Sequence, residues 1–462
     1  MLFNSLPFLY VFLPITYVVF WRLRTKTQRY AWLTVTGYVF YAFWNAKFTL
    51  LMALSTAVSY GAGLGFLRWK DVRHRRLCLA LPIVFDLSLL AIFKYTNFAS
   101  RSINLILQET HLNFRVPLFD IVLPLGISFY TFHTITYIVD SYRGVIKPTR
   151  NLLEFSCYVS LFSQLVAGPI VRFRQVEADL ENIDRSNRTI DLERGWSFFV
   201  LGMVKKVLVA DSIAQIINPA LLHWHMLTTM EAWLCALGYT YQLYFDFSGY
   251  SDMAVGLGAM FGIRLPQNFN SPYKAVDISD FWGRWHISLS TVLRDYLYIP
   301  LGGSRHGDWK TIRNLMITML LGGLWHGANW TFVVWGAYHG FLLIITLRSR
   351  PALNVLPTAL RRVITFLFVV IGWVLFRSVD FRMAFGFLAS MFSWKTGIHM
   401  VAWETLVLLL LIAGAMAHFG PNTFELRHKW RPMPALGLGV LLLACIILIY
   451  GGQQSPFLYF QF

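Results

Sequence analysis

Charge is what this sequence has least of. Only 14% of its 462 residues are charged, against 56% hydrophobic, whereas soluble domains carry about 25% charged residues. That deficit excludes an ordinary soluble domain. Cysteine is scarce too: Cys78, Cys157, Cys235 and Cys445 lie far apart in apolar sequence. They lack metal-ligand spacing and read as small hydrophobes. The sequence has no metal motif, Walker loop or dinucleotide fingerprint. It also has no G-x-S-x-G nucleophile elbow, since Gly249–Ser251 does not fit that pattern. A cleavable signal peptide is not expected, because the positive charges follow the first apolar run, 6–21, instead of preceding it.

What the chain has is length in apolar runs. Stretches near the roughly 20 residues needed to cross a bilayer recur from end to end, and the alternating pattern of an outer-membrane barrel does not dominate. The expected fold class is an all-α polytopic membrane protein of one integral domain, with about ten to twelve spans or half-spans. The net charge of +17 does not point to nucleic acid. Its Lys and Arg residues collect in short loops, as the positive-inside rule requires.

Topology follows from those loops. Segment 6–21 leads to Arg22, Arg24, Lys26 and Arg29. Segments 30–44 and 48–67, broken at 45–47, lead to Arg68, Lys70, Arg73, Arg75 and Arg76. Both basic loops are expected in the cytoplasm, with the N-terminus outside. Segment 77–95 carries Asp86, and 116–140 returns to Arg143, Lys147 and Arg150. Segment 152–171 breaks the parity unless it enters and turns back at Gly168-Pro169, which is the expectation. Segments 196–217 and 231–250 follow. Residues 246–310 mix acids, bases and aromatics without a clean apolar run, so they are expected to be short-helical or re-entrant backbone buried in protein. The final spans are 312–325, 329–347, 363–376, 383–392, 405–419 and 436–450. The working division is N-terminal spans 1–115, a core 116–350, C-terminal spans 351–450 and an extracytoplasmic aromatic tail 451–462.

Two histidines stand in polar, glycine- and tryptophan-rich breaks. His326 lies in LLGGLWHGANW, beside Trp325 and Asn329; His286 lies in FWGRWHISLS, beside Arg284 and Trp285. An ionisable side chain at membrane depth is costly and marks a functional site by default. A neutral imidazole can take a proton from a hydroxyl. Equally, either histidine could be a packing residue bonding Ser or Thr across helices. A shared cavity would explain both. Asp246, Asp252, Asp277, Asp280 and Asp295 could orient a histidine or simply pair with Arg264, Arg284 and Arg294. A basic mouth (Lys274, Arg284, Arg294, Arg305, Lys310, Arg313) would suit a phosphate-bearing donor, or is ordinary positive-inside charge. The tail SPFLYFQF is either an interfacial aromatic belt or a carrier for a Tyr459 hydroxyl that accepts an acyl group.

Taken together, several stretches resemble the membrane-bound O-acyltransferase (MBOAT) family, in its bacterial polysaccharide-acetylating branch. They are LPLGISFYTFHTITYIVDSYRG (123–144), FSQLVAGPIVRFR (162–174), QLYFDFSGYSDMAVGLG (242–258), FWGRWHISLSTVLRDYLYIPLGG (281–303), RNLMITMLLGGLWHGANWTFVVWGAYHG (313–340) and GWVLFRS (372–378). The resemblance implies a ring of tilted transmembrane helices with re-entrant segments around a central tunnel. It makes His326 similar to the family's catalytic histidine, with His286 the second site residue. Trp285, Arg284, Asn329, Trp325 and Asp246 are then expected to bind substrate. Acetyl-CoA would be a substrate and not a resident cofactor. The tail resembles an aromatic terminal motif whose tyrosine is proposed to accept the acyl group, which would make Tyr459 the acceptor.

The resemblance further implies a bacterial inner-membrane protein with both termini outside. An extracytoplasmic Ser-His-Asp partner would carry acetyl onto alginate, cellulose or a similar polymer, since the soluble parts of this chain are short. No nucleic-acid partner is expected, and lipid surrounds the chain. The competing readings are D-alanyl or other acyl transfer to a cell-wall polymer, or a transporter with a buried histidine relay. No internal repeat favours the transporter.

Overall fold

Helices account for nearly every ordered element. The computed structural model describes residues 1–166, 168–185, 188–452 and 457–458, with backbone only for 188–191. No strand occurs among the described residues. Five stretches there are long and apolar enough to cross a membrane: Lys26–Arg68, Val72–Glu109, Trp330–Arg348, Thr358–Arg377 and Pro432–Tyr450. Shorter apolar helices run over Phe8–Arg22, Phe381–Met391 and Trp403–His418. The protein is an all-α, multi-pass membrane protein.

The chain divides into two units, Met1–Leu192 with Leu257–Pro266, and Glu193–Gly256 with Gln267–Phe462. In the first, the expected break at 45–47 is a turn of 3-10 helix, Ala46–Phe48, where the Asn45 side chain accepts from the Lys47 amide at 3.0 Å. Asp86 is fully buried on helix Val72–Leu90. It accepts from Ser55 Oγ and Thr134 Oγ1, each at 2.6 Å, so one carboxyl ties three helices together. Such interhelical bonds replace the water that a bilayer withholds.

The expected span 116–140 is shorter than its hydropathy implies, because the helix there is Ile127–Tyr142. Pro117 and Pro124 lack amide donors and restrict the residue before them, which keeps 116–126 out of helix. Gly126 then turns the chain with φ 71°. A Cβ at Gly126 would lie 2.6 Å from the Leu165 carbonyl oxygen. The segment expected to turn back at Gly168-Pro169 breaks earlier, between helices Leu152–Ser160 and Phe162–Leu165, and the described residues from 166 to 171 are not helical.

The helix expected over 231–250 extends to Thr229–Met260, of which the residues up to Gly256 belong to the second unit. Residues 246–260 are therefore regular helix and not part of an irregular core. The charges that disguise it are neutralised from elsewhere: Lys205 Nζ lies 2.6 Å from Asp252 Oδ2, and Lys206 Nζ lies 2.5 Å from Asp246 Oδ1. Residues 267–303 are short-helical as expected, with Ile278–Arg284 and Ile287–Leu293 separated by one extended and one left-handed residue. Helices Asp308–His326 and Trp330–Arg348 then form a tight hairpin.

Candidate active site

The hairpin sets the position of His326. A Cβ added at Gly323 would meet the Phe332 carbonyl oxygen at 2.2 Å, and one at Gly336 would meet the Met319 carbonyl oxygen at 2.3 Å. The two backbones therefore touch where small residues permit it, as membrane helices do when packing replaces the hydrophobic drive. His326 is the last residue of its helix. Its imidazole is 5% exposed and walled by Trp325, Trp335 and Phe376, with ring centroids 5.0, 5.2 and 5.3 Å away. The last turn of a helix presents carbonyl oxygens, which favour a positive charge placed there.

His286 reaches the same enclosure from a different backbone context. It precedes helix Ile287–Leu293 with φ 44° and ψ 53°, the left-handed region that a non-glycine residue enters at a cost. Asn268 holds it there. The Asn268 backbone carbonyl accepts from the Ile287 amide at 2.9 Å. Its side-chain Oδ1 accepts from the Ser288 amide at 3.2 Å, from Ser288 Oγ at 2.9 Å, and pairs with His286 Nδ1 at 3.1 Å. The Ser288 amide can only donate, so this oxygen is an acceptor and Nδ1 of a neutral His286 carries the proton. Nε2 then bears the lone pair. The His286 ring is wholly buried. It lies 6.4 Å from the His326 ring and 6.2 Å from Trp325, centroid to centroid.

Of the residues expected to bind substrate, Trp325 alone has ring contacts with both histidines. Trp285 packs into a neighbouring aromatic group, 4.8 Å from Trp373 and 5.7 Å from Phe281. Arg284 is occupied by Asp280 Oδ1 at 2.7 Å and by the Asn270 carbonyl at 3.3 Å. Asn329 caps helix Trp330–Arg348 through the Thr331 amide and donates to the Val379 carbonyl at 2.7 Å. Asp246 is fully buried against Lys206 and accepts the Leu458 amide at 2.9 Å. Tyr459 lies outside the described residues. The remaining acids are ion-pair partners: Asp295 with Arg294 at 2.7 Å and Asp277 with Arg361 at 3.6 Å.

Sequence reasoning missed Asn268, whose role depends on a partner 18 positions away. It also missed His339, which is wholly buried between Trp335 and Trp282 at 4.9 and 5.3 Å. Neither carries a local signal beyond its residue type.

Two buried imidazoles thus share one aromatic enclosure, 6.4 Å apart, one of them with its tautomer set by Asn268. The model of the membrane-bound O-acyltransferase family matches residues 145–379, a stretch that holds both histidines and Asn268. The chain belongs to the membrane-bound O-acyltransferase family. It is 47% identical over 402 residues to the probable alginate O-acetylase AlgI of Pseudomonas aeruginosa, covering 86% of this chain and 76% of that protein. The corresponding protein of Pseudomonas putida is 40% identical with both chains fully covered. The peptidoglycan O-acetyltransferase of Helicobacter pylori is 33% identical, covering all of this chain and 98% of that protein. The MBOAT chain described here is thus an acyltransferase. Its relatives are named for O-acetyl transfer on two different glycans, alginate and peptidoglycan.

Proposed function

We propose that this enzyme takes acetyl from cytoplasmic acetyl-CoA and passes it across the bacterial inner membrane, for O-acetylation of an extracytoplasmic polysaccharide. The facing of His286 and His326 inside one aromatic enclosure carries the reading. In the reaction, an acceptor hydroxyl gives its proton to the unprotonated nitrogen of His326 while its oxygen attacks the thioester carbonyl. The carbon–sulfur bond breaks, and the coenzyme A thiolate takes the proton from His326. The carbonyl end of helix Asp308–His326 steadies the transient imidazolium. His286, held by Asn268, polarises or positions the reacting group from the other side.

The acceptor is the Tyr459 hydroxyl, and a separate Ser-His-Asp acyltransferase on the outer face moves acetyl onward to the polymer. Both termini are extracytoplasmic in this scheme. Relatives named for acetyl transfer to alginate and to peptidoglycan support acetyl as the group carried.

The test is purified protein in proteoliposomes given radiolabelled acetyl-CoA, followed by mass spectrometry of the C-terminal peptide. Acetyl on Tyr459, lost in His326→Ala and in Tyr459→Phe, is the expected result. Label retained by Tyr459→Phe overturns the acceptor role. Loading only from a D-alanyl carrier protein overturns the donor, and solute movement without acetyl-CoA turnover overturns the enzyme reading as a whole.

A further inference from the structure

Three charged side chains meet in the interior of the second unit. Lys206 Nζ lies 2.7 Å from Asp211 Oδ1 and 2.5 Å from Asp246 Oδ1, and each of the three residues is 1% exposed. Buried charges need close partners, and a well-packed apolar trio of the same volume is often no less stable. Two carboxylates around one ammonium also leave an excess negative charge, which backbone amides can offset. Asp246 uses its second oxygen in this way, accepting the Leu458 amide at 2.9 Å from 212 positions along the chain.

The residue before Leu458 is equally committed. Phe457 is 0% exposed and Leu458 is 3% exposed. The Phe457 ring lies 4.6 Å from Tyr250 and 6.1 Å from Phe247, and the edge of Phe247 meets the His286 ring at 4.8 Å. A belt of interfacial aromatics would lie on the surface instead.

We infer that Asp246, aimed by Lys206 and Asp211, is the anchor of a peptide slot that holds the C-terminal segment by its backbone at Leu458, with Phe457 wedged between Phe247 and Tyr250. The slot recognises an aromatic–aliphatic pair from the chain's own C-terminal end. Asp246 is therefore a positioning residue, not a ligand of the acyl donor. Delivery of the next residue, Tyr459, to the histidine pair rests on the function proposed above; the anchor does not.

The experiment separates the two. A reporter thiol is placed by Phe462→Cys in the full chain, whose natural cysteines are buried, and its reaction with a bulky maleimide is timed in proteoliposomes. Leu458→Pro deletes the donor amide without touching the charge cluster, while Leu458→Ala keeps it. Losing a hydrogen bond to a charged acceptor shifts an equilibrium about tenfold or more.

Faster labelling by about that factor in Leu458→Pro and in Asp246→Ala, with Leu458→Ala near the parent rate, is expected. Parent-rate labelling in both Leu458→Pro and Asp246→Ala overturns the anchor, whatever happens to activity. A second readout uses chain truncated after residue 452 with a synthetic peptide of residues 455–462. Fluorescence-detected binding of the peptide should weaken when its Leu458 amide is N-methylated, and equal binding overturns recognition through the backbone. Released tails with unchanged acetyl transfer leave the anchor standing and remove the acceptor role of Tyr459.

Discussion

The His286 and His326 rings face each other at 6.4 Å, inclined by 61°. One is carried on a left-handed residue and the other on the last residue of a helix. Replacement of His326 should be felt in catalysis and not in folding. His326→Ala should lower acetyl transfer by about 10²- to 10⁴-fold, the worth of a positioned acid–base group, with unchanged yield of membrane-inserted protein. Full activity in that variant would exclude His326 as the base.

The left-handed backbone at His286 makes a separate prediction. Asparagine tolerates φ 44° far better than a β-branched residue. His286→Asn should fold normally, whereas His286→Val should lose about 1–3 kcal/mol of stability. Thermal denaturation of the two purified variants decides this, and equal melting temperatures would count against backbone strain at this position.

Asn268 should behave as a positioning group. Asn268→Ala removes the oxygen that binds His286 Nδ1 and Ser288, and should lower kcat about tenfold to a hundredfold, as expected for a lost buried hydrogen bond. Asn268→Asp restores an acceptor and should recover part of the loss. A change confined to KM would point to substrate contact instead.

The hairpin beneath His326 depends on two glycines. A side chain at Gly336 collides with backbone at 2.3 Å, where nothing can swing away. Gly336→Val should cost about 1–3 kcal/mol and lower the melting temperature of detergent-purified protein. It should also reduce activity, by displacing the helix that ends in His326.

Arg284 offers the opposite outcome. Its guanidinium is half-exposed and held by Asp280 one helical turn away, a pairing worth about 0.3–0.5 kcal/mol. Arg284→Gln should leave KM for acetyl-CoA within about twofold of the parent. A rise of tenfold or more would return Arg284 to the donor site.

Much of the helical plan is legible in the sequence because hydropathy and basic loops report on lipid. The break at 45–47, the Asp308–His326 and Trp330–Arg348 hairpin, and the short helices after residue 267 all follow from local composition. What misleads is charge compensated from a distance. Asp246 and Asp252 make 246–260 look irregular, and only Lys206 and Lys205 on another helix allow that stretch to stay helical. The site divides in the same way. His286 and His326 are visible as costly residues in polar breaks, whereas Asn268 acquires its role through a hydrogen bond that no local pattern encodes. Arg284 and Asn329 sit beside the histidines in sequence, yet Arg284 is held by Asp280 and the Asn270 carbonyl, and Asn329 by its helix cap and the Val379 carbonyl.

The wall around His326 also bears on wasted substrate. An activated thioester beside a base hydrolyses if water can reach it, and a transfer enzyme that leaks in this way consumes its donor without product. Trp325, Trp335 and Phe376 surround the imidazole at ring-to-ring separations of 5.0 to 5.3 Å, an apolar wall of the kind that keeps water from a reacting centre. Trimming Phe376 to alanine should therefore raise acetyl-CoA turnover in the absence of any acceptor, and the yield of transferred acetyl per donor consumed becomes a direct measure of how well that wall fits.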